Sequence, residues 1–307
     1  MQSDWAWEDR RLDQGGRGPF FWVGMALLLH SLSAYCVQVA AFLIFDSSMV
    51  YQPLFLWILS IVSVYVVGFG LFIVIIHRTP EPHPAEPGKP FCGGTVVKLF
   101  FISMAAMYLL NILTVFLVYL IGLLRGSALT NPVETISDYP LVCKVLLGCV
   151  IAPLVEETMF RRLMLNRLRP YGEGFAIVLS ALAFALFHGN LNQLLYAFGV
   201  GVIFGYVAVR TGGIRTTVLL HALVNLVGSV LSLSVGESEL FSMLLGIFFV
   251  VAILLGVVFF VQLAKQIYLS PREIPLPPGR RWQYFFLSPG VLCFILLAVL
   301  LIASYFF

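Results

Sequence analysis

The sequence predicts an all-α protein, a polytopic transmembrane helix bundle of about eight or nine spanning helices. Of its 307 residues, 60% are hydrophobic and only 11% are charged, whereas soluble domains carry about 25% charged residues. The mean hydropathy is +0.98. The apolar residues fall into long runs, and a spanning helix needs roughly 20 of them in succession.

Nine apolar segments are candidate helices. In order they are 19–45, 53–76, 98–124, 140–165, 174–189, 191–210, 214–234, 239–264 and 288–307. The fifth is the shortest, with a length of about 24 Å against a hydrocarbon layer of roughly 30 Å. We therefore expect it to tilt, or to dip into the membrane from within the protein.

Basic residues indicate how these segments are oriented. Successive loops between the nine segments alternate between the two sides of the membrane, and we call the side that holds the N-terminus side one. Of the 18 basic residues, 16 then fall on side one, and only Arg125 and Lys144 fall on the other side. By the positive-inside rule, side one is cytoplasmic. The sequence thus predicts an integral, multi-pass membrane protein with its N-terminus in the cytoplasm and its C-terminus outside. The net charge of +3 reports this topology, and no nucleic-acid partner is expected.

Polar residues divide the chain unevenly. The last two apolar segments carry almost no polar side chains, so the chemistry is expected in the middle of the chain. Pro-rich stretches at 77–90 and 270–281 predict extended cytoplasmic linkers. The predicted regions are a cytoplasmic tail (1–18), N-terminal transmembrane helices (19–125), a catalytic helical core (140–234) and C-terminal transmembrane helices (235–307). The five cysteines lack zinc-site spacing and are expected to be buried free thiols.

Two adjacent carboxylates lie in the fourth segment, in EETMFR (156–161). Ionisable residues at membrane depth are costly and mark functional sites. Glu157 and Arg161 are four residues apart on one helical face, which predicts an ion pair. Glu156 projects about 100° away and has no basic partner within its own helix. It is therefore the candidate general base. Pro153, one turn earlier, predicts a kink that opens space for water.

Two further motifs, FALFH (184–188) and HALVN (221–225), carry imidazole groups. His188 lies near the end of the fifth helix, where a lone histidine is more often structural than catalytic. His221 and Asn225 share one face of the seventh helix and present two hydrogen-bond donors. Such a pair could stabilise an oxyanion, or it could hold two membrane helices together.

These three motifs, EExxxR, FxxxH and HxxxN in that order on neighbouring helices, resemble the CPBP family of membrane proteases. That family includes the type II CAAX prenyl endopeptidases and the Abi, or bacteriocin-processing, proteins. The resemblance covers residues 140–230. It implies an intramembrane endopeptidase acting on a peptide or lipidated-peptide substrate within the lipid bilayer, in a cavity open to the cytoplasmic side.

The resemblance also implies a role for each polar residue. Glu156 would activate the attacking water and His188 would help to hold it, whereas His221 and Asn225 would stabilise the tetrahedral oxyanion. The structural support would come from Glu157 and Arg161.

A metal-dependent reaction is the alternative within the same family. Two histidines and a glutamate could bind zinc with one open position. Because no carboxylate is placed by its spacing to orient either histidine, we favour a glutamate-activated water with no cofactor.

Two other classes of protein remain open. An ion- or proton-coupled transporter predicts polar residues and discontinuous helices in both halves, whereas these polar residues lie in one half. A non-catalytic membrane scaffold would be expected to lose one of the four catalytic positions, and all four are present. The sequence does not distinguish a prenylated C-terminal peptide from a leader peptide.

Overall fold

The computed structural model describes residues 18–80, 88–127, 129, 131–234, 238–271, 274, 276 and 279–306. All regular secondary structure in these ranges is helical, so the predicted all-α class is confirmed. Most of the predicted tail, and parts of both predicted Pro-rich linkers, lie outside the described residues: 1–17, 81–87, 272–273, 275 and 277–278.

Each of the nine predicted segments contains one long helix. The helices are α1 (Pro19–Ile44), α2 (Pro53–Ile76), α3 (Gly93–Arg125), α4 (141–168), α5 (Glu173–Phe187), α6 (Leu191–Thr211), α7 (Arg215–Leu231), α8 (Glu239–Ala264), α9 (Arg280–Phe286) and α10 (Pro289–Ser304), where α9 is a short addition before the ninth. Short helical turns also occur at Ser47–Val50, Pro132–Asp138, Arg169–Tyr171 and Ser232–Ser234.

Five helices in the described ranges are long and apolar enough to cross a membrane by themselves: α1, α2, α3, α6 and α8. The pair α9–α10, bent by 61°, makes a sixth if it is taken as one span. The protein is therefore an integral, multi-pass membrane protein, although the predicted count of eight or nine spans is not confirmed. Helix α5 has 15 residues, about 22 Å at 1.5 Å per residue, and is as short as predicted.

Helices α2, α4 and α7 each contain π-helical turns. These turns lie at Ile61–Gly68 in α2, at Leu146–Ile151 and Thr158–Leu165 in α4, and at Leu226–Leu231 in α7. A π-helical turn frees backbone groups from their usual partners, and such turns are frequent at functional sites. All three helices contribute side chains to the cavity described below.

Small residues bring α5 and α6 into close contact. A Cβ atom added at Gly201 would lie 3.0 Å from the Cβ of Ala181, and one added at Gly205 would lie 3.1 Å from Ile177. These two glycines therefore permit a close approach of the two helices. A larger residue at either position would push α6 away from α5 and displace both ends of α5.

A buried ion cluster holds the basic ends of α4, α5 and α6 together. Glu173, in the first turn of α5, is 3% exposed. It pairs with Arg169 at 2.8 Å and also with Arg210 near the end of α6. This cluster fixes where the short helix α5 begins.

The outer surface of the bundle is apolar. On α8, for example, Leu254 is 62% exposed, as expected for a side chain that faces lipid acyl chains. All five cysteines are free, as predicted, but the prediction that they are buried is wrong. Cys36, Cys92 and Cys293 are exposed and the other two are half-buried.

Candidate active site

One cavity of about 260 Å³ lies among α2, α4, α5, α6 and α7. All four predicted catalytic residues line it: Glu156, His188, His221 and Asn225. Other polar groups on its wall belong to Tyr65, Lys144, Gln193, Tyr196 and Ser229. The remaining lining is largely apolar, as in most small-molecule and peptide sites.

Glu156 finds its partners on two other helices. Its side chain is almost buried, with the residue 6% exposed. The hydroxyl of Tyr65, in α2, donates a hydrogen bond to Oε1 of Glu156 at 3.3 Å. Nε2 of His221, in α7, lies 3.7 Å from Oε2. The carboxylate is therefore held in the cavity without a full ion pair to an arginine or lysine.

Tyr65 is a site residue that the sequence analysis missed. It is the only tyrosine in α2, in the largely apolar stretch IVSVYVVG. A tyrosine hydroxyl within a spanning helix needs a hydrogen-bond partner. This requirement is the sequence feature that could have identified Tyr65 as a site residue.

Glu157 is fully buried and contacts the side chains of both Arg161 and His221. Its Oε1 lies 3.3 Å from Nη1 of Arg161, so the predicted ion pair is present. The same oxygen accepts a hydrogen bond from Nδ1 of His221 at 2.9 Å. The guanidinium of Arg161 also lies 4.4 Å from the ring centroid of Phe184. Arg162 is exposed and takes no part in this cluster.

The contact between Glu157 and His221 corrects one expectation. The sequence analysis expected no carboxylate to orient either histidine, and this is wrong for His221. The spacing rules for one helix could not show it, because the two residues lie on α4 and α7.

Hydrogen bonds assign the tautomer of each imidazole. Nδ1 of His221 faces the carboxylate of Glu157, so it carries a proton and donates. Nδ1 of His188 lies 2.8 Å from the carbonyl oxygen of Phe184, so it also donates. In neutral His188, Nε2 is therefore a hydrogen-bond acceptor, which is suited to holding a water molecule by one of its protons.

The turn between α5 and α6 fixes the position of His188. Gly189 has a φ of +62°, which glycine adopts without strain. Asn190 then caps α6, because its Oδ1 accepts a hydrogen bond from the backbone N–H of Gln193 at 2.9 Å. Its Nδ2 donates to the carbonyl of His188 at 2.8 Å. The turn thus holds His188 at the end of α5, where it lines the cavity.

A free carbonyl on α4 positions Asn225. In the π-helical turn, the backbone N–H of Ala152 donates to Leu147 instead of Gly148. The next donor in that register would be Pro153, which has no N–H. The carbonyl of Gly148 accepts from Nδ2 of Asn225 instead, at 2.8 Å. At the position of the predicted kink, the structure thus has a π-helical turn directly before Pro153.

An amide NH₂ group has two protons. One proton of Asn225 is used on Gly148, which fixes the amide plane and leaves the other for a ligand in the cavity.

The same residue types are those that bind zinc in proteins. Three suitably placed ligands are the minimum for a catalytic zinc site. In the part of the chain that the structure describes, no group of three His, Cys, Asp or Glu side chains has that arrangement. The described donor set therefore does not fit a catalytic metal ion.

The cavity extends away from the basic ends of the helices. Beyond Glu156, its wall is formed by the first half of α4, which includes Lys144 and Gly148, and by the last half of α7. The wall ends at Val133, Ile136 and Leu233. These residues lie on the side that the positive-inside rule assigns to the exterior. The opening on the cytoplasmic side stays a prediction.

Comparisons with known proteins cover the segment that carries these residues. Residues 139–227 match a family model described as "Type II CAAX prenyl endopeptidase Rce1-like". The predicted resemblance is confirmed over these residues. All six residues that the resemblance singled out lie within the matched Rce1-like segment.

Two curated proteins are similar to part of the chain. One is "Putative membrane peptidase YdiL" of Bacillus subtilis (strain 168), 27% identical over 109 residues, which are 35% of this chain and 44% of that protein. The other is "Uncharacterized 24.3 kDa protein" of Escherichia coli, 35% identical over 118 residues, which are 34% of this chain and 54% of that protein. The chain thus spans about half the length of these relatives. No solved structure matches it.

Proposed function

We propose that this protein is an intramembrane endopeptidase of the Rce1-like kind, which hydrolyses a peptide bond with a water molecule activated by Glu156. The observation that carries the proposal is the convergence of Glu156, His188, His221 and Asn225 on one cavity within an apolar bundle. The family match of residues 139–227 supports the same reaction class.

The attacking water is held between Glu156 and His188. Glu156 accepts one proton of the water, and Nε2 of His188 accepts a hydrogen bond from the other. The water oxygen then forms a bond to the carbonyl carbon of the substrate. The hydroxyl of Tyr65, at 3.3 Å from the carboxylate, fixes the direction in which Glu156 presents its oxygen atoms.

The negative charge that develops on the carbonyl oxygen is stabilised by the donors of α7. Asn225 offers its second amide proton. His221 offers Nε2–H in its doubly protonated form, in which Nδ1 still donates to Glu157. Donors held in place before the reaction stabilise such a charge strongly in a water-poor site. The intermediate collapses when the C–N bond breaks and Glu156 returns its proton to the leaving amine.

Glu157 and Arg161 support the site and do not touch the substrate. Their ion pair is completely buried, and the same oxygen of Glu157, Oε1, orients His221. A metal-free reaction is part of this proposal, as is the peptide or lipidated-peptide substrate. An apolar surface around the cavity suits a substrate that is anchored in the bilayer.

The test uses purified full-length protein in lipid vesicles. The substrates are lipidated and unlipidated forms of a mixed-sequence peptide library, and mass spectrometry detects new peptide ends. We expect Glu156→Gln to lose about a thousandfold or more in turnover. The matched control is Glu239→Gln, since Glu239 is an exposed carboxylate at the start of α8. Full turnover by Glu156→Gln would overturn the assignment of the base.

Absence of any cleavage by wild-type protein, together with substrate-linked ion or proton flux in the vesicles, would instead support the transporter class. Vesicles that show neither cleavage nor flux would favour the scaffold class.

A further inference from the structure

Lys144 is a buried cation at the far end of the reaction cavity. It lies in the first turn and a half of α4 and is only 7% exposed. Lys144 lines the same cavity as Glu156. Within the described residues, its one hydrogen bond runs from Nζ to the carbonyl oxygen of Leu233 at 3.4 Å, which is longer than the usual 2.7–3.2 Å.

The charge of Lys144 is poorly compensated. Among the described residues, no carboxylate lies within ion-pair distance of its ammonium group. Burying an ammonium group costs several kcal/mol unless it is paired and well hydrogen-bonded. A neutral carbonyl at a long distance offsets only part of that cost. A carboxylate entering the cavity would supply the missing partner.

The surroundings of Lys144 restrict what else can supply this partner. The described cavity wall at this end consists mainly of Val133, Ile136, Leu147, Val230 and Leu233. These side chains offer neither a charge nor a strong acceptor. The site therefore fits a carboxylate that is attached to an apolar peptide chain.

We propose that Lys144 binds a carboxylate of the peptide substrate and so sets the distance from that carboxylate to the bond that is cleaved. This inference rests on the proposed peptidase function. The shared chemistry is a carboxylate, which a peptide can provide as its free C-terminus or as an acidic side chain.

The helix itself gives an estimate of this distance. Lys144 and Glu156 are 12 residues apart along α4, which is a rise of about 18 Å at 1.5 Å per residue. An extended peptide advances by about 3.3 Å per residue. The bond presented to Glu156 is therefore about five residues from the carboxylate held by Lys144.

The first experiment measures binding, in which turnover plays no part. Immobilised full-length Glu156→Gln protein is exposed to a mixture of lipidated random octapeptides with free carboxylates. A second mixture has amidated C-termini, and a third is amidated but ends in Glu. Mass spectrometry measures the retained fraction. If both carboxylate sources fit the site, we expect both carboxylate-bearing mixtures to be retained about 30-fold better than the mixture with amidated C-termini. If only the C-terminal or only the side-chain carboxylate fits, only that mixture should be retained better.

The variant Glu156→Gln/Lys144→Met should lose this preference and retain all three mixtures equally. Lys144→Arg keeps the charge and should keep most of the preference. The matched control is Lys98→Met, because Lys98 contacts Gln262 on the exposed outer surface, away from the cavity. Undiminished preference in the Lys144→Met protein, or equal retention of all mixtures by the parent protein, would overturn the proposal.

Cleavage by the wild-type Glu156 protein gives an independent readout. The new ends should lie about five residues before the carboxylate, and Lys144→Met should scatter them. If Glu156→Gln abolishes cleavage but the ends are unaffected by Lys144→Met, only the carboxylate site fails. If Glu156→Gln cleaves normally, the proposed peptidase mechanism fails while the binding result stands.

Discussion

Glu157 accepts a hydrogen bond from Nδ1 of His221 at 2.9 Å and, through the same oxygen, pairs with Arg161. One buried carboxylate thus joins the helix of the proposed base to the helix of the proposed oxyanion donors. Carboxylates that orient an imidazole in this way fix its tautomer and its ring direction. In the proposed mechanism the two adjacent glutamates therefore have different roles: Glu156 reacts, and Glu157 positions His221.

The first prediction separates these roles of Glu157. Glu157→Gln should leave Arg161 as an unpaired buried charge and lower the free energy of unfolding by about 3–5 kcal/mol. The double variant Glu157→Gln/Arg161→Met should recover much of that stability, because both charges are then absent. It should still have reduced turnover, because His221 has lost its carboxylate.

Thermal unfolding and peptide cleavage are measured on the same preparations. A double variant that regains both stability and full turnover would show that Glu157 acts through folding alone.

The second prediction concerns Asn225 and the free carbonyl of Gly148. Asn225→Ala should lower kcat by about a hundredfold to a thousandfold, as removal of one oxyanion donor does elsewhere. It should also lower the free energy of unfolding by about 1–3 kcal/mol, because the carbonyl of Gly148 is left without its donor. Steady-state cleavage rates and chemical unfolding measure the two effects.

Ser229→Ala provides the control, because Ser229 lines the same cavity without a catalytic role in this mechanism. A fall in stability with unchanged kcat in Asn225→Ala would reduce Asn225 to a helix-packing residue.

The third prediction tests Tyr65, which positions Glu156 from α2. Tyr65→Phe removes a hydroxyl that donates to the carboxylate at 3.3 Å. We expect kcat to fall by about tenfold with little change in KM, since a single hydrogen bond to a charged group is worth about 1.5–3 kcal/mol. Tyr108→Phe is the control, because the hydroxyl of Tyr108 is buried away from the cavity and has no hydrogen-bond partner among the described residues. Equal effects of the two substitutions would contradict a positioning role for Tyr65.

The sequence predicted those parts of the site that depend on one helix. The pair Glu157–Arg161 follows from a spacing of four residues, and the short α5 follows from the length of its apolar run. The contacts Tyr65–Glu156 and His221–Glu157 were not predicted, because each joins helices that are more than 60 residues apart in the chain. Their existence depends on how the helices pack.

The π-helical turn before Pro153 is an intermediate case. The proline itself predicts a disturbed helix, since it removes a donor. Which carbonyl would be freed, and that Asn225 would use it, depends on the change of register and on the approach of α7. The sequence therefore indicated where α4 is irregular but not what the irregularity binds.

The fourth prediction concerns metal ions. If the reaction uses only the residues of the chain, prolonged chelation should leave turnover unchanged, and metal analysis of active protein should find less than about 0.1 zinc per chain. A known zinc peptidase treated in parallel shows that the chelation was effective. Loss of turnover that zinc restores would instead make the contact between Glu157 and His221 part of a carboxylate–histidine–zinc arrangement.

The fifth prediction concerns the side of the membrane on which the cavity opens. Ile136 lines its far end, whereas Arg162 lies at the basic end of α4. The positive-inside rule places these two positions on opposite sides of the membrane. In a cysteine-free background, Ile136→Cys should react with a membrane-impermeant maleimide in intact cells. Arg162→Cys should react only after permeabilisation. The reverse pattern would make the cavity open to the cytoplasm and would show that the charge-based orientation is inverted.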